Sequence, residues 1–228
     1  GGGASNPNSI QSNSMAAVVA DSDSAPVVEL FVPGRVCLLG EHSDWAGGFK
    51  GRKDSPPDVR EGYCLVCGTD QGLYARASRQ GAGKVKVRSV DERGGVQETT
   101  MDLELASLRA TAQEGAFFSY VAGVAHEVLA RYGGERCPAL QSGGLEVDNY
   151  RTDLPLAKGL SSSAAVCVLV ARAFSVVYGL ALTTMEEMDL AYRGETLTPS
   201  QCGRMDQGCA FGSTPILMTY DGEFMDVE

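Results

Sequence analysis

The chain has 228 residues, of which 43% are hydrophobic and 21% are charged, a composition that is ordinary for a globular protein. Its net charge of −10, from 19 basic and 29 acidic residues, excludes a general nucleic-acid surface, because such a surface needs clustered Lys and Arg. A small anion can still bind to local backbone dipoles. No apolar run approaches the roughly 18 residues that predict a membrane span.

The N-terminal end differs in composition from the rest of the chain. Residues 1–14 are rich in Gly, Ser, Asn and Gln and precede Met15. We interpret them as a disordered leader that is not part of the fold. Residues 15–26 are too short and too interrupted by Asp for a signal peptide, so we predict a flexible N-terminus there.

Seven cysteines are spread between Cys37 and Cys209 without the spacing of a disulfide framework. Cys64 and Cys67 form a CxxC pair, but no second pair or neighbouring histidine completes a zinc site. We therefore predict structural thiols. Free thiols indicate a reducing compartment, most simply the cytoplasm.

The first third of the folded chain is predicted to be β structure. Strands are predicted where short β-branched or aromatic runs lie between turn residues, at 27–32, 36–39, 63–66, 73–77 and 85–90. Residues 33 and 34, Pro-Gly, are interpreted as a turn between the first two strands. Residues 47–62 are rich in Gly, Pro and charge and predict an exposed loop.

The second half of the chain is predicted to be mainly helical. An apolar stripe with helical periodicity begins near residue 116 and ends at Gly133-Gly134. The remaining predicted elements are a strand at 145–147, a turn at 148–153, an apolar helix at 162–180, a helix from Thr183 or Thr184 to about Glu195, a helix start within 199–213, and a strand at 216–219. Strands followed by helices predict an α+β fold.

The segment Leu154–Ala165, LPLAKGLSSSAA, leads from a polar loop into the apolar helix. The first turn of a helix has unpaired N–H groups and a partial positive charge, and small side chains let a phosphate approach them. Lys158 would add a point charge. A serine cluster that caps a buried helix is the alternative, and the residues alone leave both open. Neither a Walker A nor a Rossmann fingerprint is present.

Several segments of the chain resemble signatures of the GHMP kinases, the family of galactokinase, homoserine kinase, mevalonate kinase and phosphomevalonate kinase. Residues 154–165 resemble the loop that holds the ATP phosphates. Residues 33–48, PGRVCLLGEHSDWAGG, resemble the galactokinase signature P-G-R-x-N-L-I-G-E-H-T-D-Y-x-x-G. Residues 202–207, CGRMDQ, resemble the segment C-G-I-M-D-Q that carries the catalytic aspartate of galactokinases. Residues 192–195, YRGE, resemble the helix end of mevalonate kinase that supplies a Mg²⁺-binding glutamate.

The resemblance implies an α+β domain of the ribosomal protein S5 domain 2-like type over residues 27–228, with a mixed or antiparallel sheet packed with helices. The family's third motif, a Gly-rich segment in a C-terminal ferredoxin-like domain, is absent. We therefore expect that domain to be missing from this chain. Self-association or a partner chain that supplies the domain is then expected, with little activity from this chain alone.

The resemblance also implies the residues of an ATP site. Those matching the phosphate loop are Lys158, Gly159, Leu160, Ser161, Ser162, Ser163 and Ala164. Ser163 and Glu195 would bind Mg²⁺, which takes few protein oxygens besides phosphate and water. A surface glutamate at a helix end is the alternative for Glu195.

The matched positions further imply a catalytic pair and an acceptor site. Asp206 would receive or orient the proton of the acceptor hydroxyl, and Arg35 would stabilise charge on the transferring phosphoryl group. An ordinary ion pair is the alternative for Arg35. Glu41, His42 and Asp44 would bind vicinal sugar hydroxyls, since each carboxylate accepts two hydrogen bonds.

The implied activity is ATP-dependent phosphorylation of a monosaccharide hydroxyl, most simply the anomeric one, in carbohydrate metabolism. A mevalonate-type kinase is the first alternative, favoured by the spacing of Glu195 and Asp206. A non-catalytic sugar and ATP sensor is the second, and intact Arg35 and Asp206 argue against it. The chain departs from the galactokinase signature at Cys37, Ser43 and Trp45, and residues 49–62 form a longer and more charged insert.

Overall fold

The computed structural model describes residues 16–19, 26–81, 83–91, 93–154, 160–200 and 202–228. The predicted leader at 1–14, most of the predicted flexible segment at 15–26, and Lys158 and Gly159 lie outside these residues. Within the predicted flexible segment, residues 16–19 form a short strand paired with the start of the next one. None of the helices described is long and apolar enough to span a membrane.

Eight strands in the described part of the chain join in one sheet. They are β1 (Ala16–Val19), β2 (Val27–Leu39), β3 (Gly62–Gly81), β4 (Lys84–Val90), β5 (Val96–Asp102), β6 (Gly143–Thr152), β7 (Ile216–Asp221) and β8 (Phe224–Val227). Their order is β1-β2-β3-β6-β4-β5, and β7 pairs with both β3 and β8. Only β4 and β6 are parallel, so the mixed sheet predicted from the sequence is confirmed.

Two predicted strand pairs are each one long strand. The predicted Pro-Gly turn is wrong, because β2 continues through it with a register shift between Pro33 and Arg35. A bulge tolerates a proline, which has no N–H to donate to the ladder. The break predicted between 66 and 73 is also absent: β3 pairs with β2 along one side and with β7 and then β6 along the other.

The middle of the sheet also differs from the prediction. The turn predicted at 148–153 is largely strand, because β6 extends to Thr152 and pairs with β3 on one side and β4 on the other. Asn149 is 4% exposed there, so a polar residue is buried in the centre of the sheet. β5 was not predicted, since its sequence VQETTMD is largely polar and forms an exposed edge strand beside β4.

The helices lie mostly in the second half of the chain. The described α-helices are α1 (Ser43–Gly48), α2 (Leu105–Gln113), α3 (Ser119–Tyr132), α4 (Pro138–Ser142), α5 (Ser162–Tyr178) and α6 (Thr184–Thr196), and a 3₁₀ helix covers Asp206–Phe211. The predicted helices near 116–132, 162–180 and 184–195 are thus confirmed. Thr183 caps α6 in a reciprocal capping box with Glu186.

α5 packs against the sheet and against both α3 and α6, which explains why its sequence is apolar on nearly every side. A buried ion pair holds its middle turns. Arg172 Nη2 donates to Glu187 Oε2 of α6 at 2.8 Å and to the carbonyl of Ala210 at 2.9 Å. Arg172 Nη1 donates to the carbonyl of Phe31 in β2 at 3.3 Å. One guanidinium therefore connects α5 with α6, β2 and the 3₁₀ helix.

Candidate active site

The N-terminus of α5 meets β2 and the 3₁₀ helix at one point. Arg35 Nη2 donates to Ser161 Oγ at 2.6 Å and pairs directly with Asp206 Oδ1. Ser161 Oγ donates to the same Asp206 oxygen at 2.7 Å. Three side chains that are far apart in sequence thus form a closed triangle of hydrogen bonds.

Backbone geometry holds this triangle in place. The N–H of Arg35 donates to the carbonyl of Leu160 at 3.1 Å, so the loop before α5 is bound to β2. A Cβ on Gly34 would lie 3.1 Å from that carbonyl and closer still to the Leu154 side chain, so only glycine lets the loop pass so near. Ser161 precedes α5 with a left-handed φ of 54°, which is uncommon outside glycine and is concentrated at functional sites.

Charge and burial distinguish the members of the triangle. Arg35 is 4% exposed, whereas the Asp206 side chain is 27% exposed and so reaches solvent or a ligand. Arg35 Nε is buried, and nothing in the described residues accepts its hydrogen bond. A guanidinium with a free N–H beside an accessible carboxylate is suited to bind further negative charge.

A second polar cluster lies beside the first. Glu195 is 1% exposed, so it is not a surface glutamate at a helix end. Gln207 Nε2 donates to Glu195 Oε2 at 2.8 Å, and Ser163 is also hydrogen-bonded to this carboxyl group. Burial raises the pKa of Glu195 and repulsion from Asp206 adds to it, while the hydrogen bonds from Ser163 and Gln207 act in the opposite direction.

This second cluster fits a small divalent cation chemically. A carboxylate and a hydroxyl are hard oxygen ligands, and Mg²⁺ commonly takes one or two carboxylates together with phosphate and water. Gln207 Oε1 is a buried acceptor that no donor of the described chain satisfies, and it adds a third oxygen next to Glu195. Gln207 was not predicted as a site residue, although it belongs to the segment CGRMDQ.

The three predicted acceptor residues lie around the start of α1 in different environments. Glu41 and His42 are exposed, and His42 has a left-handed φ of 67°. Asp44 is 8% exposed; its Oδ1 accepts from the N–H of Trp45 at 2.9 Å and its Oδ2 from the N–H of Met205 at 3.2 Å. Asp44 is thereby bound to the residue before Asp206, which brings the predicted acceptor segment close to the predicted catalytic aspartate.

A pocket of about 180 Å³ opens beside Asp44. Four aromatic residues, Trp45, Phe49, Tyr192 and Tyr220, form part of its wall, and Arg52 and Arg204 contribute positive charge. Neither arginine was predicted as a site residue. The signal was present in the sequence, since one lies in the charged insert and the other in the segment that carries Asp206.

Residues 119–213 match the family model described as the GHMP kinases N terminal domain. The chain is 27% identical over 201 residues to the galactokinase of Glaesserella parasuis serovar 5, a match that covers 87% of this chain and 45% of the relative. The chain therefore spans less than half the length of this curated relative.

Solved structures share the fold. Lactococcus lactis galactokinase complexed with galactose superposes with a TM-score of 0.63 at 24% identity, over 89% of this chain and 46% of that one. The Methanococcus jannaschii mevalonate kinase superposes with a TM-score of 0.60 at 15% identity, over 90% of this chain and 56% of that one.

Proposed function

We propose that the chain carries a GHMP kinase N-terminal domain related to those of galactokinases, a proposal that the family match and the galactokinase relatives support. On this premise the full-length protein transfers the γ-phosphoryl group of ATP to a hydroxyl of a monosaccharide, most simply the anomeric one. The observation that carries the proposal is the triangle of Arg35, Ser161 and Asp206. It combines a buried positive charge, an accessible carboxylate and a helix N-terminus at one point.

In this proposal Asp206 orients the acceptor hydroxyl and takes its proton as the oxygen bonds to the γ-phosphorus and ADP departs. Arg35 offsets the negative charge that develops on the transferring oxygens, and its burial makes this interaction stronger than it would be in water.

The start of α5 would hold the nucleotide. Backbone N–H groups at Leu160, Ser161, Ser162, Ser163 and Ala164 lie at the positive end of a 17-residue helix, where a phosphate is stabilised. Bound ATP with Mg²⁺ supplies the phosphoryl group and neutralises part of its charge. Glu195 and Ser163 are the residues that would hold Mg²⁺, with Gln207 beside them.

The acceptor would lie on the side of Asp44, next to Glu41 and His42. Asp44→Ala is expected to weaken sugar binding by about 1.5–3 kcal/mol, the scale of a lost charge-assisted hydrogen bond, and to leave ATP binding nearly unchanged. Calorimetric titration with the sugar and with an ATP analogue measures both. Asp58→Ala removes an exposed carboxylate from the loop that follows and serves as the control. An Asp44→Ala protein that loses ATP and keeps sugar would mean that the two sites are exchanged.

ADP release from ATP and Mg²⁺ by the full-length protein tests the proposal. The acceptor panel contains neutral monosaccharides, sugar acids, sugar phosphates and mevalonate. Turnover with mevalonate alone would favour a mevalonate-type kinase, whose fold this chain shares. Binding of sugar and ATP without any turnover would favour a sensor. All seven cysteines are free, which suits a reducing compartment, and we include a cytoplasmic location in the proposal.

A further inference from the structure

The pocket beside Asp44 has a chemical character that a site for a neutral sugar does not require. Its wall contains Arg52 from the insert after α1 and Arg204 from the segment that carries Asp206. In the galactokinase segment C-G-I-M-D-Q the position of Arg204 is an isoleucine. Both arginines thus come from places where this chain departs from the galactokinase signatures.

Arg52 is available to bind an anion. Its guanidinium carbon lies 4.7 Å from the centre of the Phe49 ring, so the ring supports the flat face of the group. Within the described parts of the chain, no carboxylate forms an ion pair with Arg52. A guanidinium stacked in this way keeps its N–H edge free for the two oxygens of a carboxylate or phosphate.

Arg204, which also lines the pocket, is held in a similar way. Its guanidinium carbon lies 5.2 Å from the centre of the Tyr192 ring, and its Nη1 donates to the carbonyl of Glu223 at 2.9 Å. The nearest carboxylate oxygen, on Glu223, is 3.6 Å away on a side chain that is 89% exposed. Such an exposed pair contributes little, so a bound anion can displace it. The main-chain contact and the ring then keep Arg204 in position.

Among the described residues that line the pocket, Asp44 is the only other acidic one. Both of its oxygens accept backbone N–H groups, so part of its charge is compensated within the protein. Asp44 Oδ2 accepts the N–H of Met205, which lies between Arg204 and Asp206 in the sequence, so the pocket wall is close to Asp206. A ligand with a hydroxyl at Asp206 and an anionic group farther away would therefore reach the arginines.

We propose that this pocket binds an anionic group of the acceptor, so that the preferred substrate is a hexose carrying a carboxylate or phosphate rather than a neutral hexose. The inference rests on the proposed kinase function and specifies its substrate class. The volume of about 180 Å³ is below the ~300 Å³ at which sites for drug-sized ligands begin, and it suits one ring or part of one. Aromatic walls add apolar contact for the ring of the sugar.

The test is calorimetric titration of the full-length protein without ATP. Galactose is compared with galacturonate and with galactose 6-phosphate, and glucose with glucuronate and glucose 6-phosphate. We expect at least one anionic sugar to bind about tenfold or more tightly than its neutral parent, the scale of one charge-assisted hydrogen bond. The two anion types show whether carboxylate or phosphate is preferred.

Variants of the two arginines test whether these residues cause the preference for anionic sugars. Arg52→Gln and Arg204→Gln are each expected to reduce the ratio of anionic to neutral sugar affinity by about tenfold, through weaker binding of the anionic sugar. Lys53→Gln removes the same charge from an exposed neighbour that does not line the pocket, and should keep the preference. Equal affinities for neutral and anionic sugars, no binding of any sugar, or an equal loss in Lys53→Gln would each overturn the inference.

These experiments distinguish failure of the anionic subsite from failure of the proposed kinase function. Absence of ADP release with every acceptor would refute the kinase proposal, whereas the titrations would still report the anion preference. Turnover on galactose without preference for its anionic derivatives would refute the anionic subsite and leave the kinase proposal intact.

Discussion

Asp206→Asn is expected to lower kcat by about 10²–10⁴-fold, because the amide cannot accept the proton of the acceptor hydroxyl. Sugar affinity should stay within about tenfold, since little ground-state binding depends on this oxygen. The variant should fold, because the amide oxygen can still accept the hydrogen bonds that Asp206 Oδ1 receives from Arg35 and Ser161. ADP-release kinetics and sugar titration on the full-length protein measure the two effects separately.

Asp226→Asn is the matched control for Asp206. It makes the same chemical change on an exposed residue of β8 and should leave kcat unchanged. Near-normal turnover in Asp206→Asn would remove this residue from the chemical step. The triangle with Arg35 would then be a structural ion pair, which was the alternative that the sequence left open.

The helices and the segments of the candidate site could be predicted because their signals are local. The polar loop and apolar run at 154–180 predict a helix with a polar start, and Thr183 with Glu186 forms a capping box that depends on four consecutive residues. The resemblance of residues 33–48 and 202–207 to known signatures predicted which segments meet. The ion pair of Arg35 with Asp206 and the hydrogen bond between Asp44 and Met205 join them.

The errors concern features that depend on the rest of the fold. Asn149 lies in a polar stretch that is typical of a turn, yet strands on both sides pair with it and make it part of β6. The Pro-Gly at 33–34 is normally a turn signal, but long neighbouring strands continue past it and absorb it as a bulge. No local pattern could show either, because the partner strands are distant in sequence.

The sequence also could not predict which charged side chains are buried or supported by aromatic rings. Glu195 stands at the end of a helix, where glutamates are mostly exposed, and its burial results from the packing of the 3₁₀ helix against α6. The aromatic support of Arg52 and Arg204 likewise depends on where Phe49 and Tyr192 lie in three dimensions. The burial of Glu195 and the ring contacts of the two arginines therefore become visible only once the fold is known.

Arg172→Met is expected to lower the free energy of unfolding by about 3–5 kcal/mol, the range for removing one partner of a buried ion pair. The side chains of Arg172 and Glu187 are each 9% exposed. Burial raises the pKa of Glu187, and Arg172 is what opposes this by charge and hydrogen bonds. Without Arg172 the carboxylate would be buried with less compensation. Urea unfolding of the wild-type and variant chains at neutral pH measures the difference.

Two further measurements separate loss of the ion pair from loss of packing. Because the pKa of Glu187 is raised in the folded state, its protonated form favours folding at low pH, and this contribution is lost as the pH rises through the folded pKa. The loss of unfolding free energy in Arg172→Met should therefore become smaller from pH 7 towards pH 5, as Glu187 takes up a proton. The double variant Arg172→Met with Glu187→Met leaves no buried charge and should recover much of the stability. Recovery should be incomplete, because the carbonyls of Phe31 and Ala210 also lose a donor. A double variant no more stable than the single one, with a deficit independent of pH, would show that Arg172 acts through packing and these carbonyls rather than through Glu187.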